Sequence, residues 1–174
     1  MTFNLSKSIE ILSKTPETLN SLLNGLSDEW LYNNEGKNTW SPYDIIGHLV
    51  HGEKTDWIVR AKIILSSERN KTFEPFDRFA QENDSKGKSI HELLEEFSKL
   101  RSQNLQELKM LQISESDFTK KGMHPKLGEV NLQQLLATWT VHDLGHIAQI
   151  ARVMSKQYAT EVGPWNAYLG ILKK

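Results

Sequence analysis

Residues 139–153 read WTVHDLGHIAQIARV, and this stretch decides how the chain folds. Together with the residues just before it, it places side chains every three or four positions along one line, namely Leu132, Leu135, Trp139, His142, His146, Ile150 and Val153. That spacing predicts the buried stripe of an amphipathic helix. His142 and His146 stand on this stripe where apolar side chains are expected, one helical turn apart on a single face.

The two histidines on a buried stripe need polar partners, because a buried imidazole costs folding free energy unless it is hydrogen-bonded or coordinated. They are either core residues bonded to backbone carbonyls and buried water, or ligands of a metal ion, for which neutral imidazole is the commonest side chain. The residue after His142 is Asp143, so the H-E-x-x-H motif of metalloproteases is absent. We interpret the pair as the anchor of a metal site inside a helical bundle.

The bulk composition suits a folded protein, with 174 residues of which 38% are hydrophobic and 25% charged. We expect one domain spanning residues 1–174. The 21 Lys and Arg residues nearly balance the 22 Asp and Glu residues, giving a net charge of -1, so no nucleic-acid partner is expected. There is no cysteine. Disulfides, thiolate ligands and a cysteine nucleophile are thereby excluded.

The chain contains no targeting or membrane segment that we recognise. Its first residues, MTFNLSKSIEILSK, lack the basic start and unbroken apolar core of a signal peptide. No window approaches the roughly 18 uncharged apolar residues that a membrane span needs. We therefore expect a cytoplasmic protein without a membrane partner.

Apolar periodicity predicts four long helices, over residues 5–24, about 24 residues from Pro42, 90–112 and 132–157. Pro16 is expected to interrupt or kink the first helix. Ser41, Ser89 and Asn131 are each suited to cap the start of one of the other three. The GPW sequence at 163–165 predicts a short closing helix.

Two long connections join these helices. Residues 66–88 are expected to cross the length of the bundle, with Phe73, Phe76 and Phe79 tucked against the core. Residues 113–130 form the second connection, and strand-like alternation is nearly absent. The sequence therefore predicts an all-α bundle with a long crossover between helices 2 and 3. The broad apolar arc of the second helix makes a homodimer plausible.

Four segments resemble one family. They are WSPYDIIGHLVHGE at 40–53, RSQNLQELKML at 101–111, HPKLGEVNLQQLLATWTVHDLGHIAQIAR at 124–152 and GPWNAYL at 163–169. In this order they resemble the DinB/YfiT-like superfamily of metal-binding four-helix bundles. The resemblance implies an up-down-down-up bundle with a divalent metal held by three histidines. Carried over by motif, these are His48 from GHL and His142 and His146 from HDLGH.

The resemblance also implies a range of activities. Three neutral nitrogens with open coordination positions are typical of a catalytic rather than a structural metal site. Similar proteins include bacillithiol- and mycothiol-dependent transferases and isomerases, so a metal-dependent thiol S-transferase or a hydrolase acting on a small molecule is expected. The metal would be Zn, Ni or Fe, and a low-molecular-weight thiol is a candidate cofactor. The alternatives are a non-catalytic metal-binding or stress-response bundle and a plain helical interaction protein.

Two further histidines could belong to the site. His51 follows His48 by about one turn and could be a fourth ligand, a proton carrier or a solvent-exposed residue, of which we favour the last. His124 lies in the connection before the fourth helix and could overhang the metal site.

Arg101 and Asn104 fall within or beside the stripe of the third helix. They could bind an anionic substrate group or hydrogen-bond to the metal ligands. Equally, Arg101 could pair with a neighbouring carboxylate. Asp143 and Gln149 lie off the histidine stripe, so we do not expect them to orient the imidazoles.

Overall fold

The structure is a computed structural model that describes residues 2–173. Its α-helices are α1 (Leu5–Leu23), α2 (Asp28–Tyr32), α3 (Pro42–Thr55), α4 (Trp57–Leu65), α5 (Gln81–Asp84), α6 (Ile90–Met110) and α7 (Leu132–Lys156). Two short strands, β1 (Lys121–His124) and β2 (Gly128–Asn131), precede α7, and 3₁₀ turns cover Glu115–Thr119, Gly163–Tyr168 and Gly170–Lys173. No helix among these residues has both the length and the apolar character that crossing a membrane requires.

The predicted helix starts are confirmed by reciprocal hydrogen bonds at three N-termini. At α3, the Asp44 N–H donates to Ser41 Oγ (3.2 Å) and the Ser41 N–H donates to Asp44 Oδ2 (2.9 Å). Equivalent capping boxes begin α6 at Ser89 and α7 at Asn131. Each satisfies backbone donors that the first helical turn leaves without a partner, which fixes where the helix begins.

Two predicted helix interiors need correction. The second predicted helix is divided at Asp56 into α3 and α4. The φ and ψ of Asp56, -111° and -83°, are not helical. The Thr55 hydroxyl donates to the His51 carbonyl at 2.9 Å, a bond that competes with the helical ladder and bends helices. The first helix, by contrast, continues through Pro16 without interruption.

Two groups of buried apolar side chains give the directions of the helices. One group joins the end of α1, the start of α3, the start of α6 and the end of α7, and includes Leu23, Ile45, Leu93 and Val153. The other joins the first half of α1, α4, the end of α6 and the start of α7, and includes Leu12, Ile58, Leu108 and Leu132. Therefore α1 and α7 run one way and α3–α4 and α6 run the other, which is the predicted up-down-down-up bundle.

The crossover between α4 and α6 follows from this topology, since two parallel helices can be joined only by a chain that returns along the bundle. Phe73 is 2% exposed and Phe76 is half-buried, as predicted. The prediction for Phe79 is wrong, because its side chain is 58% exposed and lies under the guanidinium of Arg78. The crossover also contains α5, which the sequence pattern did not predict.

Gly47 allows α5 to pack closely against α3. A Cβ at residue 47 would collide with Ser85 Oγ and would lie 3.3 Å from the Cβ of Gln81. Only glycine at position 47 of α3 therefore leaves space for the end of the crossover. The close approach brings the crossover alongside the turn of α3 that carries His48.

The second connection contains an antiparallel hairpin rather than irregular chain alone. Lys121 pairs with Asn131 and His124 with Gly128. Gly122 lies against Phe73 and Ile64, where a Cβ would be 2.6 Å from the Phe73 ring. Strands of four residues are too short to establish an alternating pattern. The expected short closing helix is present as two 3₁₀ helices, Gly163–Tyr168 and Gly170–Lys173.

Candidate metal centre

Three histidines from two helices meet at the middle of the bundle. The Nε2 atoms of His48 on α3 and of His146 on α7 each lie 3.1 Å from Nε2 of His142. One ring nitrogen of each residue lies within 4.8 Å of those of the other two. Helical periodicity stacks His142 and His146 on one face of α7, and the antiparallel packing of α3 brings His48 opposite to them.

The spacing of these nitrogens fits a shared cation better than a set of hydrogen bonds. A ring nitrogen has a single in-plane position, carrying either a proton or a lone pair, so Nε2 of His142 cannot satisfy two neighbours at once. Two nitrogens bound at about 2.0–2.1 Å to one metal, at angles of roughly 90° to 109°, would lie roughly 2.9–3.4 Å apart. The observed 3.1 Å falls in that range.

Burial keeps the three imidazoles in the neutral form that a metal ligand requires. It lowers the pKa of His48 and of His142 to about 3, with a smaller contribution from the neighbouring imidazoles. The pKa of His146 is also lowered by burial, although its contact with Gln149 opposes part of the effect. Lone pairs are therefore available on all three rings at neutral pH.

Gln149 orients one of the imidazoles, contrary to our expectation from its position off the stripe. Its Oε1 lies 2.9 Å from Nδ1 of His146, which places the proton on Nδ1 and the lone pair on Nε2. Residues three apart on a helix are neighbours, so this spacing alone could have revealed the contact. Nδ1 of His48 and of His142 is buried and has no hydrogen-bond partner within residues 2–173.

Aromatic rings enclose the cluster. Trp40 lies 4.7 Å from His48, ring centroid to ring centroid, and Phe76 from the crossover lies 5.4 Å from the same imidazole. Trp57 packs edge-on against His142 at 5.0 Å. A cavity of about 380 Å³ opens beside the cluster and is lined by His48, His146, Trp40 and Phe76 among others. A small molecule can therefore approach two of the three imidazoles.

His51 is buried, which corrects our expectation of a solvent-exposed residue. It is 9% exposed, packs edge-on against Phe76 at 5.1 Å, and its Nδ1 lies 3.2 Å from Oδ2 of Asp84. The reason is the crossover, which brings Phe76 and α5 over this turn of α3. His51 does not belong to the nitrogen cluster formed by the other three histidines.

His124 lies at the rim of the same cavity. Its Nδ1 accepts hydrogen bonds from the backbone N–H groups of Lys126 and Leu127, both at 3.1 Å. These bonds hold the turn of the hairpin, so the imidazole supports the local backbone as well as facing the cavity. Burial lowers its pKa.

Arg101 and Asn104 lie in a buried polar network behind the histidines. Arg101 is 1% exposed and donates to both carboxylate oxygens of Asp143, at 2.6 and 3.0 Å, and to Glu53 at 2.8 Å. Asn104 and the indole N–H of Trp139 also donate to Glu53. Burial by itself would lower the pKa of Arg101, but the two carboxylates outweigh it and raise that pKa. Of the three roles that we considered for Arg101, the structure shows the pairing with carboxylates.

The fold and the site together define a class of protein, the helical bundle with a cluster of three buried or half-buried imidazoles beside a cavity. The model of the DinB superfamily matches residues 11–150, and the chain belongs to that superfamily. This confirms the resemblance drawn from the sequence motifs.

A solved structure of similar fold is YfiT from Bacillus subtilis, described as a probable metal-dependent hydrolase with an unusual four-helix bundle topology. The TM-score is 0.76 with 20% sequence identity, and the match covers 91% of each chain. At that identity the likeness shows the fold. No curated protein matches the chain.

Proposed function

We propose that this protein is a divalent-metal-dependent enzyme acting on a small molecule, with His48, His142 and His146 as the metal ligands. The observation that carries the proposal is the convergence of three neutral ring nitrogens beside a cavity. Nitrogen donors of this kind suit Zn, Ni or Fe. Three protein ligands leave at least one coordination position for another molecule, as in catalytic metal sites.

Different residues of the chain have different roles at such a site. The three imidazoles supply the lone pairs, and Gln149 holds the His146 ring in the tautomer that directs Nε2 inward. Trp40 and Phe76 limit the access of bulk water, which strengthens electrostatic interactions within the cavity. When bound, a divalent cation here supplies Lewis acidity, which lowers the pKa of a coordinated water or thiol and polarises an oxygen of the substrate.

Two reactions use this chemistry. Hydrolysis, with water as the nucleophile, is favoured by the likeness to YfiT, described as a probable metal-dependent hydrolase. Thiol transfer is the second candidate. A chain without cysteine would have to take its thiol from a free low-molecular-weight compound, and the cavity of about 380 Å³ has room for a small molecule.

Metal content tests the ligand assignment. Protein purified without a histidine tag is expected to hold one divalent metal per chain by inductively coupled plasma mass spectrometry. His142→Ala should reduce this to background, because two imidazoles alone bind weakly. His91→Ala is the matched control, since His91 is exposed and, among residues 2–173, pairs only with Glu95. Stoichiometric metal in the His142→Ala protein would overturn the proposal.

Turnover separates an enzyme from a non-catalytic metal-binding bundle. The metal-loaded protein would be assayed with a panel of esters and amides, and separately with bacillithiol plus a generic electrophile. Activity that disappears in His142→Ala and persists in His91→Ala supports catalysis. Full metal occupancy without turnover in either assay would instead support the non-catalytic alternative.

A further inference from the structure

The charged side chains that line the cavity of about 380 Å³ beside the histidine cluster are all cationic, whereas the adjoining cavity, which Arg78 and His146 also line, contains Glu35, Asp44 and Glu82. Nine residues line the first of these cavities, including Arg78 from the crossover and Lys126 from the hairpin turn, and no Asp or Glu of the described chain is among them. Neither cation takes part in an ion pair within residues 2–173. A cavity with low-dielectric walls and charges of one sign raises the local concentration of oppositely charged molecules.

Arg78 differs in this respect from Arg101 and Arg152, whereas Arg69 is likewise without an ion pair among the described residues. Arg101 is bound by Asp143 and Glu53, and Arg152 is bound by Glu35. The carboxylate next to Arg78 in the sequence, Asp77, accepts a hydrogen bond from the Phe79 N–H at 2.9 Å instead. The donors of the Arg78 guanidinium therefore remain available at the cavity.

The Arg78 guanidinium lies over two aromatic rings, those of Trp40 and Phe79. Its Cζ lies 5.6 Å from the ring centroid of Trp40, and Trp40 in turn lies 4.7 Å from the ring of His48. Stacking on an aromatic face leaves the in-plane N–H groups of a guanidinium free to bind an oxyanion at two points. The indole ring of Trp40 thus contacts both the Arg78 guanidinium and the imidazole of His48.

Lys126 also lines the cavity, from the turn of the hairpin. The Lys126 N–H donates to Nδ1 of His124, which fixes the hairpin turn that carries the lysine. Phe76, Pro75 and Pro125 give the same cavity an apolar part. The cavity thus combines a cationic rim, an apolar wall and the histidine cluster.

We propose that the site takes a small molecule in which a carboxylate or phosphate is attached to an apolar group, and that Arg78 is the main residue recognising the anion. The apolar part lies against Phe76 and the prolines, while Lys126 adds a second, more mobile charge. This deepens the proposed function by naming its substrate class. The recognition rests on protein charges and does not depend on which reaction follows.

Equilibrium binding of three probes tests this inference. Phenylacetate and benzylphosphonate carry the two kinds of oxyanion, and phenylacetamide is the neutral counterpart of similar shape. Affinities would be measured by titration while following the tryptophan indole N–H signals by NMR. Each titration would use the protein as purified, with its metal content determined, and again after treatment with EDTA. The EDTA arm separates binding by Arg78 from direct coordination of the anion by the metal.

In both forms of the protein we expect at least one anion to bind about tenfold or more tightly than phenylacetamide. Arg78→Gln should weaken that binding about tenfold, the range for a lost hydrogen bond to a charged group, and leave phenylacetamide unaffected. Arg69→Gln is the control, because it removes the same charge from a residue that lines a different pocket.

The outcomes separate this inference from the proposed function. Equal affinities for anion and amide, or an Arg78→Gln protein with unchanged anion affinity, would overturn the anion inference whatever the metal content. Anion binding that disappears with EDTA would assign recognition to the metal and also overturn it. Whichever of the two anions binds more tightly identifies the group as carboxylate or phosphate.

Discussion

His48 and His142 lie with their Nε2 atoms 3.1 Å apart although 94 residues separate them in the chain. The contact exists because α3 and α7 pack antiparallel, so that the first half of α3 faces the middle of α7. Each helix start is fixed by a capping box, at Ser41 and at Asn131. The position of each histidine along its helix is therefore counted from a capping box that lies several residues before it.

Gln149 should tune metal affinity without being a ligand. We expect Gln149→Ala to weaken metal binding about tenfold, because groups that orient a ligating imidazole typically contribute at this scale. Affinity would be measured by competition with a chromogenic chelator. Gln133→Ala, on an exposed position of the same helix, is the control. Identical affinities for the two variants would contradict the role assigned to Gln149.

Arg101 should be essential to stability rather than to binding. Arg101→Met leaves the carboxylates of Glu53 and Asp143 buried without their cation, which costs about 3–5 kcal/mol of unfolding free energy. Urea denaturation measures the loss.

Adding Glu53→Gln and Asp143→Asn to Arg101→Met should restore part of this stability, since the uncompensated charges are then removed. A single Arg101→Met variant that loses less than about 1 kcal/mol would argue against a strongly coupled network.

Gly47 and Gly145 should respond oppositely to alanine. Gly47→Ala places a methyl group against Ser85 and Gln81, and overpacking of this kind costs about 1–3 kcal/mol. Gly145→Ala meets nothing within 4 Å on the exposed side of α7, so it should stabilise the helix by about 0.5–1 kcal/mol. Thermal and urea unfolding of both proteins check the pair. Stabilisation by Gly47→Ala would mean that α5 does not pack as closely as described.

Glu35 should make stability depend on acid pH. Hydrogen bonds from Arg152 lower the pKa of Glu35 from 4.5 to about 2, with Lys156 assisting against the effect of burial. A carboxylate whose pKa is depressed in the folded state stabilises the fold above its unfolded value of 4.5. That contribution is lost as the pH falls from 4.5 toward 2.

Comparison with Glu35→Gln isolates this contribution from those of other carboxylates. Because Arg152 and Lys156 are partly solvent-exposed, we expect wild type to be more stable by only about 1–2 kcal/mol near pH 6. More than half of that difference should be lost at about pH 3. Urea unfolding of both proteins at the two pH values measures it. A difference that does not change with pH would exclude the ion pair as its source.

The sequence by itself determined where the main helices begin and which face of α7 is buried. Ser41, Ser89 and Asn131 are each followed three positions later by a partner side chain, and this local pattern is sufficient to start a helix. Periodicity placed His142 and His146 on the buried stripe. His48 came from the motif resemblance, because nothing in the periodicity of α3 distinguishes it from its neighbours.

The tertiary structure alone decided which side chains meet across helices. From the sequence, Asp143 was only a residue off the histidine stripe and His51 was expected to be exposed. In the structure, α6 brings Arg101 to Asp143, and the crossover covers His51 with Phe76. Arg78 lies in a stretch with no helical pattern, and only the path of the crossover puts it over Trp40. Helix caps and stripes depend on residues three or four apart, whereas these contacts depend on which helix faces are packed together by distant parts of the chain.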